Sequence, residues 1–183
     1  MLEHLTPLGQ AAPETSIIGF LTLTERTDTA LASLAIRQGR AADVAAAAAT
    51  TGIPLPPPGR HETQTLAAFW LSPDMWMIEA PFATHEDIRA HLLATFHDAA
   101  SITEQTDAWV RFDLTSDHLS SLMERLCNVD LRAAPDGLAT RTVIDHLGCY
   151  LIKRSARTIT LYGPRSSAQT LHHALTVAAT SLT

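Results

Sequence analysis

Nine histidines, two cysteines and nineteen carboxylates are the side chains in this 183-residue sequence that could do acid–base, nucleophilic or metal chemistry. Their spacing argues against each in turn. His85, His91 and His97 recur every six residues, and on a helix six residues turn each about 240° from the last, so the three do not converge on one ion. His172 and His173 are neighbours that point apart, and no HExxH occurs. Asp107 and Asp113 flank one predicted strand, too far apart to share a proton, and Glu104 with Asp107 reads as turn chemistry. Cys127 and Cys149 form no CxxC pair and sit beside apolar residues with no visible activator, which reads as two buried free thiols rather than a nucleophile, a zinc site or a disulfide framework. The phosphate-cradling loops GxGxxG and GxxxxGK[ST] are absent, and Gly163-Pro164-Arg165-Ser166-Ser167 lacks the second glycine of a nucleophile elbow. The sequence therefore offers no catalytic residue, no cofactor-binding residue and no metal ligand.

Charge narrows the partners further. Thirteen Lys and Arg against nineteen Asp and Glu give a net charge of −6, opposite to what phosphate neutralisation needs. The one basic group, Lys153, Arg154 and Arg157, falls at a strand turn and reads as a solvated hairpin end. Nucleic acid is excluded as a ligand. The start Met1-Leu2-Glu3-His4 lacks the basic and apolar runs of a signal peptide, and no apolar stretch reaches 18 residues. With reduced thiols, these features predict a soluble, cytoplasmic protein.

The elements that would position any site can be read from periodicity. Residues 1–14 read as an N-terminal arm. Ser16 to Thr24 is a β-branched, apolar run that predicts one strand, with Leu31 to Ile36 as its partner. Ala41 to Ala49 predicts a helix that Gly52 stops, with an alanine face narrow enough to serve as core or as contact surface. Residues 53–59, IPLPPPG, hold four prolines and predict a stiff extended connector. Strands at Leu66–Leu71 and Met75–Ala80 are joined by Ser72-Pro73-Asp74. A helix starting at Thr84, with Thr84 and Asp87 at capping-box spacing, carries Ile88, Leu92 and Phe96 on one face. The outline then repeats. Strands at Ala100–Thr106 and Trp109–Leu114 precede a helix bearing Leu119, Leu122, Met123 and Leu126, with Ser116 or Asp117 as N-cap. Asp136-Gly137 marks a turn. Strands follow near Thr140–His146, Cys149–Lys153 and Thr158–Leu161, and Ser166 caps a last helix with Leu171, Leu175, Ala178 and Leu182 as its stripe. Short connections between strands and helices predict an α+β fold, antiparallel sheets with helices on one face, in a single compact domain over residues 1–183.

Four stretches carry a resemblance. They are Trp70-Leu71-Ser72-Pro73-Asp74-Met75-Trp76-Met77-Ile78, the run Asp107 to Ser116 (DAWVRFDLTS), Leu126-Cys127-Asn128-Val129-Asp130-Leu131, and Gly163-Pro164-Arg165-Ser166-Ser167-Ala168 followed by Leu171. In this order, over residues 66–175, they resemble the gamma subunits of heterotetrameric sarcosine oxidase. Asn128, Ser167 and Ser72 depart from that family's usual Pro, Phe and Gly, all at turn or cap positions. The resemblance implies a fold related to the folate-binding domain of glycine-cleavage aminomethyltransferases. It implies alpha, beta and delta partner subunits that carry FAD, FMN and NAD, and an assembly that demethylates sarcosine to glycine, with one-carbon transfer to tetrahydrofolate or release of formaldehyde, and with hydrogen peroxide formed. A stand-alone folate-dependent one-carbon enzyme or folate-binding protein is the competing reading. Five residues of the matched stretches are candidate partner contacts. Trp70 and Trp76 would bury large rings in the core or anchor an interface. Asp130, Arg132 and Arg165 would act as caps or as contacts. Through such surfaces the isolated chain is also expected to self-associate.

Overall fold

The computed structural model describes residues 5–182; the first four residues of the expected arm lie outside the described residues. The chain forms two compact units, one from residues up to 27 together with those from 108 onward, the other Asp28–Asp107. Both are antiparallel sheets with helices, the α+β arrangement expected.

The second unit is built from β3 (Thr29–Ile36), α1 (Ala41–Thr51), β4 (His61–Thr63), β5 (Ala67–Ser72), β6 (Met75–Pro81), α2 (Ile88–Phe96) and β7 (Ala100–Glu104). Its sheet order is β4-β5-β6-β3-β7. The first unit contains β1 (Thr15–Ile18), β2 (Leu21–Arg26), β8 (Trp109–Thr115), α3 (Leu119–Met123), β9 (Ala139–Ile144), β10 (Leu147–Ser155), β11 (Thr158–Pro164) and α4 (Ala168–Thr180), with order β1-β2-β8-β11-β10-β9. The two units share one topology. A strand and a helix lead into a three-strand meander whose last strand returns beside the first, and a second helix follows. The slot on the other side of the first strand is filled by β7 in one unit and by β2 in the other.

Alternation explains the layers. In β8, Val110, Phe112 and Leu114 are fully buried in one core with Leu21, Leu23, Leu161, Leu171 and Leu175, so α4 covers that face. In the second unit Ala30, Ala32 and Leu34 of β3 share a core with Val44 and Ala48 of α1 and with Ile88, Leu92 and Phe96 of α2. Small residues on β3 let two helices lie against the sheet. Gly52 ends α1 in the left-handed conformation, φ 67°, its N–H bonded to the Ala48 carbonyl, as the sequence predicts.

Several expectations need correction. Ser16 to Thr24 is two strands, because Gly19 takes φ 54° and Ile18 pairs with Leu21 across a two-residue turn. Glycine at the first central position is what a II′-type hairpin turn uses. The β3 strand does not pair with this hairpin; it lies between β6 and β7 in the other sheet. The adjacent strands β7 and β8 likewise enter different sheets. Asp87 rather than Thr84 caps α2, its carboxylate accepting from Ala90 N at 2.8 Å. His118 occupies the N-cap of α3, whose backbone N–H donates to the Ser116 hydroxyl. Ser167 rather than Ser166 precedes α4, without a side-chain bond. Among the described residues no helix is long and apolar enough to cross a membrane.

His97, which follows α2, has φ 47° and ψ −125°, a conformation open to glycine and costly for a residue with a Cβ. The substitution His97→Gly is expected to raise stability by about 1 kcal/mol, relief of strain outweighing the added freedom of the unfolded chain. Chemical denaturation measures it, and a loss of stability would show that the turn is not strained.

Candidate functional site

The strongest polar cluster lies on the face of β8 opposite its core residues. Arg111 grips the Asp113 carboxylate with two bonds, Nε at 3.0 Å and Nη2 at 2.8 Å. The Thr160 hydroxyl, fully buried on the neighbouring strand, donates to the same carboxylate at 2.6 Å and accepts from Arg154 Nε at 3.0 Å. Arg26 stands 3.8 Å from Asp113. The pairings Tyr162↔Arg111, Thr160↔Asp113 and Thr24↔Asp113 bring these groups together. A carboxylate held by bonds from one guanidinium and a hydroxyl, with a second guanidinium near, is fixed in position. This network orders the sheet.

A second cluster sequence reasoning missed is the pair His61 and Glu79 in the second unit, Nε2 to Oε2 3.0 Å, with side chains 10% and 5% exposed. Glu79 sits on β6 opposite Ala67 and Leu31, and both residues keep further contacts. An apolar alternation around a lone Glu was the available signal.

Glu25 is the third. Its carboxylate is 1% exposed and accepts from the backbone N–H groups of Leu8, at 2.9 Å, and Glu14, at 3.3 Å. Leu8 reaches into the core of the first unit. The arm is therefore latched by a buried carboxyl group whose hydrogen bonds come from the arm itself. Arg165 adds a bond from Nη2 to the Leu5 carbonyl at 3.1 Å.

The remaining candidate contacts have local partners. Trp76 is half-buried against the second unit's core, and its indole N–H donates to the Pro56 carbonyl at 2.8 Å, which pins the connector. Trp70 stands across the strand pair from it, also half-buried. Asp130 accepts from the N–H groups of Arg132 and Ala133 at 2.9 and 3.2 Å and so caps a turn. Arg132 pairs with Glu124 at 3.0 Å on the surface, an interaction worth at most about 1 kcal/mol. The basic group at the strand turn is absorbed too. Lys153 donates to the carbonyls of Leu131 and Ala134, Arg154 to Thr160, and Arg157 pairs with Asp117.

The helical-rotation argument does not apply to His85, which lies outside the helix. His85 precedes α2, and its ring meets that of His91 edge to face with centroids 4.8 Å apart. Among the described residues no three or more His, Cys, Asp or Glu gather to hold a metal. Both cysteines are free; Cys149 is fully buried and Cys127 half-buried.

Three comparisons with known proteins bear on what this architecture is. No family model matches the sequence, and no curated protein does. Among solved structures, the fold is similar to a chain of heterotetrameric sarcosine oxidase from Corynebacterium sp. U-96, solved in complex with pyrrole 2-carboxylate, at TM-score 0.76 and 20% identity over 88% of this chain and 84% of that one. It is also similar to glycine cleavage system aminomethyltransferase T from Bartonella henselae, at TM-score 0.64 and 12% identity over 84% of this chain but 44% of that one. At these identities the likeness is one of fold, and it is the fold that the sequence resemblance implies.

Two expected outcomes follow from the buried groups. Glu25→Ala removes the acceptor of two amides and should cost about 1–3 kcal/mol, with new protease cleavage within residues 5–14; an uncut arm at wild-type stability would show that the latch carries no weight. Burial pushes the Cys149 thiol from 9.0 up to about 11, with the Cys127 charge adding to it. A thiol that stays protonated in the fold but ionises when unfolded stabilises the fold fully below pH 9.0, and that contribution is lost as pH rises from 9.0 through about 11. Compared with Cys149→Ala, the wild type should lose stability more steeply over this window, and parallel profiles would count against the burial effect.

Proposed function

We propose that the chain is the gamma subunit of a heterotetrameric sarcosine oxidase, a member without cofactor or catalytic residue that completes an assembly with alpha, beta and delta subunits. In this reading FAD, FMN and NAD reside in the partner subunits. Those subunits convert sarcosine to glycine, pass the methyl carbon to tetrahydrofolate or release it as formaldehyde, and form hydrogen peroxide.

The observation that carries the reading is coverage in both directions. The match to the sarcosine oxidase chain takes in 88% of this chain and 84% of that one, so most of each chain corresponds to most of the other. The aminomethyltransferase match takes in 44% of its chain, so this chain spans less than half of that protein's length. The polar clusters point the same way. Asp113, Glu25, Lys153 and Arg157 are engaged within the chain, in contacts that order strands and turns. The sequence resemblance in four stretches, which hold Trp70, Trp76, Asp130 and Arg165, adds support to this reading.

The α1 helix supplies a surface on which to test assembly. Val44 and Ala48 face the core, whereas Ala45, Ala46 and Ala49 are exposed. The test is co-expression with the alpha, beta and delta subunits of a heterotetrameric sarcosine oxidase. The expected result is a four-chain complex with flavin absorbance in the partners, while the chain alone is colourless, releases no peroxide from sarcosine and binds tetrahydrofolate weakly. Ala45→Glu should keep the melting temperature and lower capture; Ala48→Glu should lower the melting temperature itself. Failure to join the complex, or sarcosine-dependent peroxide from the chain alone, would overturn the reading. Tight one-to-one tetrahydrofolate binding in calorimetry would favour the stand-alone folate protein.

A further inference from the structure

A cleft of about 430 Å³ opens in the first unit between the end of α3, the β9–β10 turn and α4. A volume of that order holds a small molecule. Its walls are held by local structure. After α3 the N–H groups of Leu126 and Cys127 both reach the Met123 carbonyl, at 3.0 and 2.9 Å, which fixes Arg125 and Leu126 in a tight turn. β9 and β10 are joined by two residues only, Asp145 at φ 46° and His146 at φ 65°, between the paired Ile144 and Leu147. Two successive left-handed residues make the I′ type of hairpin turn, which favours aspartate at its first position and so sets Asp145 at the rim of the cleft. From α4 come His173, Ala174 and Val177.

The apolar part of the wall is Leu126 and Ala174, both partly buried against the core of the unit, and Val177, which is 53% exposed. The charged part is Arg125 and Asp145. Among the described residues neither side chain has a hydrogen bond or an ion pair, with the other or with any third group. The nearest groups in sequence that could neutralise them are turned elsewhere. Glu124 pairs with Arg132 at 3.0 Å, and the Arg141 guanidinium lies over Gly148. A single exposed charge without a partner is ordinary. Here two opposite charges, carried on separate rigid turns, meet at one concave, partly apolar surface and do not satisfy each other. A ligand with one charge answers only one of them.

We propose that this cleft binds a small zwitterion, its carboxylate on the Arg125 guanidinium, its ammonium on the Asp145 carboxylate, and its aliphatic body across Leu126, Ala174 and Val177. The planar fork of a guanidinium matches a carboxylate, and an ammonium offers three donors to the acceptor-only carboxylate of an aspartate. Both contacts are open to water and individually weak, so binding of about millimolar strength is expected. The assignment rests on the first unit alone and does not depend on which assembly the chain joins.

The experiment is an NMR titration of the isotope-labelled full chain with glycine, γ-aminobutyrate and ε-aminocaproate, a ladder that measures the span between the two charges. Caproate and hexylamine, each with one of the two charges, are the controls. One member of the ladder is expected to saturate, moving the amides of Arg125 and Asp145 and the Val177 methyl signals. It should bind about tenfold more tightly than either control. Arg125→Gln should bind that zwitterion no better than hexylamine. Asp145→Asn, which keeps a residue suited to the turn, should bind it no better than caproate. Signals that stay still with all three zwitterions at about 50 mM, far above the expected dissociation constant, would overturn the proposal. So would saturation that moves signals away from the cleft, or controls that bind as tightly as the zwitterion, which would reduce the cleft to a site for one charge. The wild-type titration against the two controls decides the matter even if a variant does not fold.

Discussion

The first unit depends on one strand. β8 pairs with β2 on one side and β11 on the other, strands drawn from opposite ends of the chain. Because successive side chains face opposite ways, its seven residues must satisfy two incompatible surroundings at once. Val110, Phe112 and Leu114 build the core that α4 covers, with His172 tilted against the Phe112 ring at 5.8 Å. Arg111 and Asp113 gather Arg26, Thr160 and Arg154 on the other face. A slip of one residue would place a bidentate ion pair in the core and the core residues in the ion network. The register is therefore fixed twice over, by burial on one face and by directed bonds on the other.

The same topology in Asp28–Asp107 is held differently. Alanines on β3 admit two helices close to the sheet, and the arginine–aspartate network has no counterpart on β3, where the inward set is Ala30, Ala32 and Leu34 and the intervening residues are Leu31, Ser33 and Ala35. Its opposite face instead carries Leu31, Phe69 and Met77, all buried, with the pair His61 and Glu79. A fold used twice with different means of fixing its register shows that the meander and its returning strand are the persistent element, and that the polar chemistry is local to each copy.

What could be read in advance follows from range. The helix at Ala41–Thr51, its glycine stop, the hairpin around Pro73-Asp74 and the stripe of α2 rest on contacts within a few residues, and periodicity exposes them. The hairpin hidden in SIIGFLTLT was lost because apolar residues continue through its turn, and only the backbone of Gly19 reveals the reversal. The partners of β3 and β8 come from tens of residues away, and nothing in a window of sequence selects among antiparallel candidates. Glu25 was invisible for a related reason. A single glutamate at a strand end looks solvated until the arm folds over it and supplies two N–H groups. Of the candidate contacts, Asp130 resolves as a cap and Arg132 as one half of a surface pair, while Trp70 and Trp76 part company although their sequence settings are alike.

That last difference bears on what kind of molecule this is. Side chains that could do chemistry are arranged here so that their capacity is used internally: a carboxylate latches an arm, a lysine closes a turn of carbonyls, an arginine pair orders a sheet face. Engagement of this kind holds strands, turns and the arm in place, in keeping with the subunit role proposed for the chain. Trp76 belongs to the same pattern, its indole N–H spent on the Pro56 carbonyl that pins the connector.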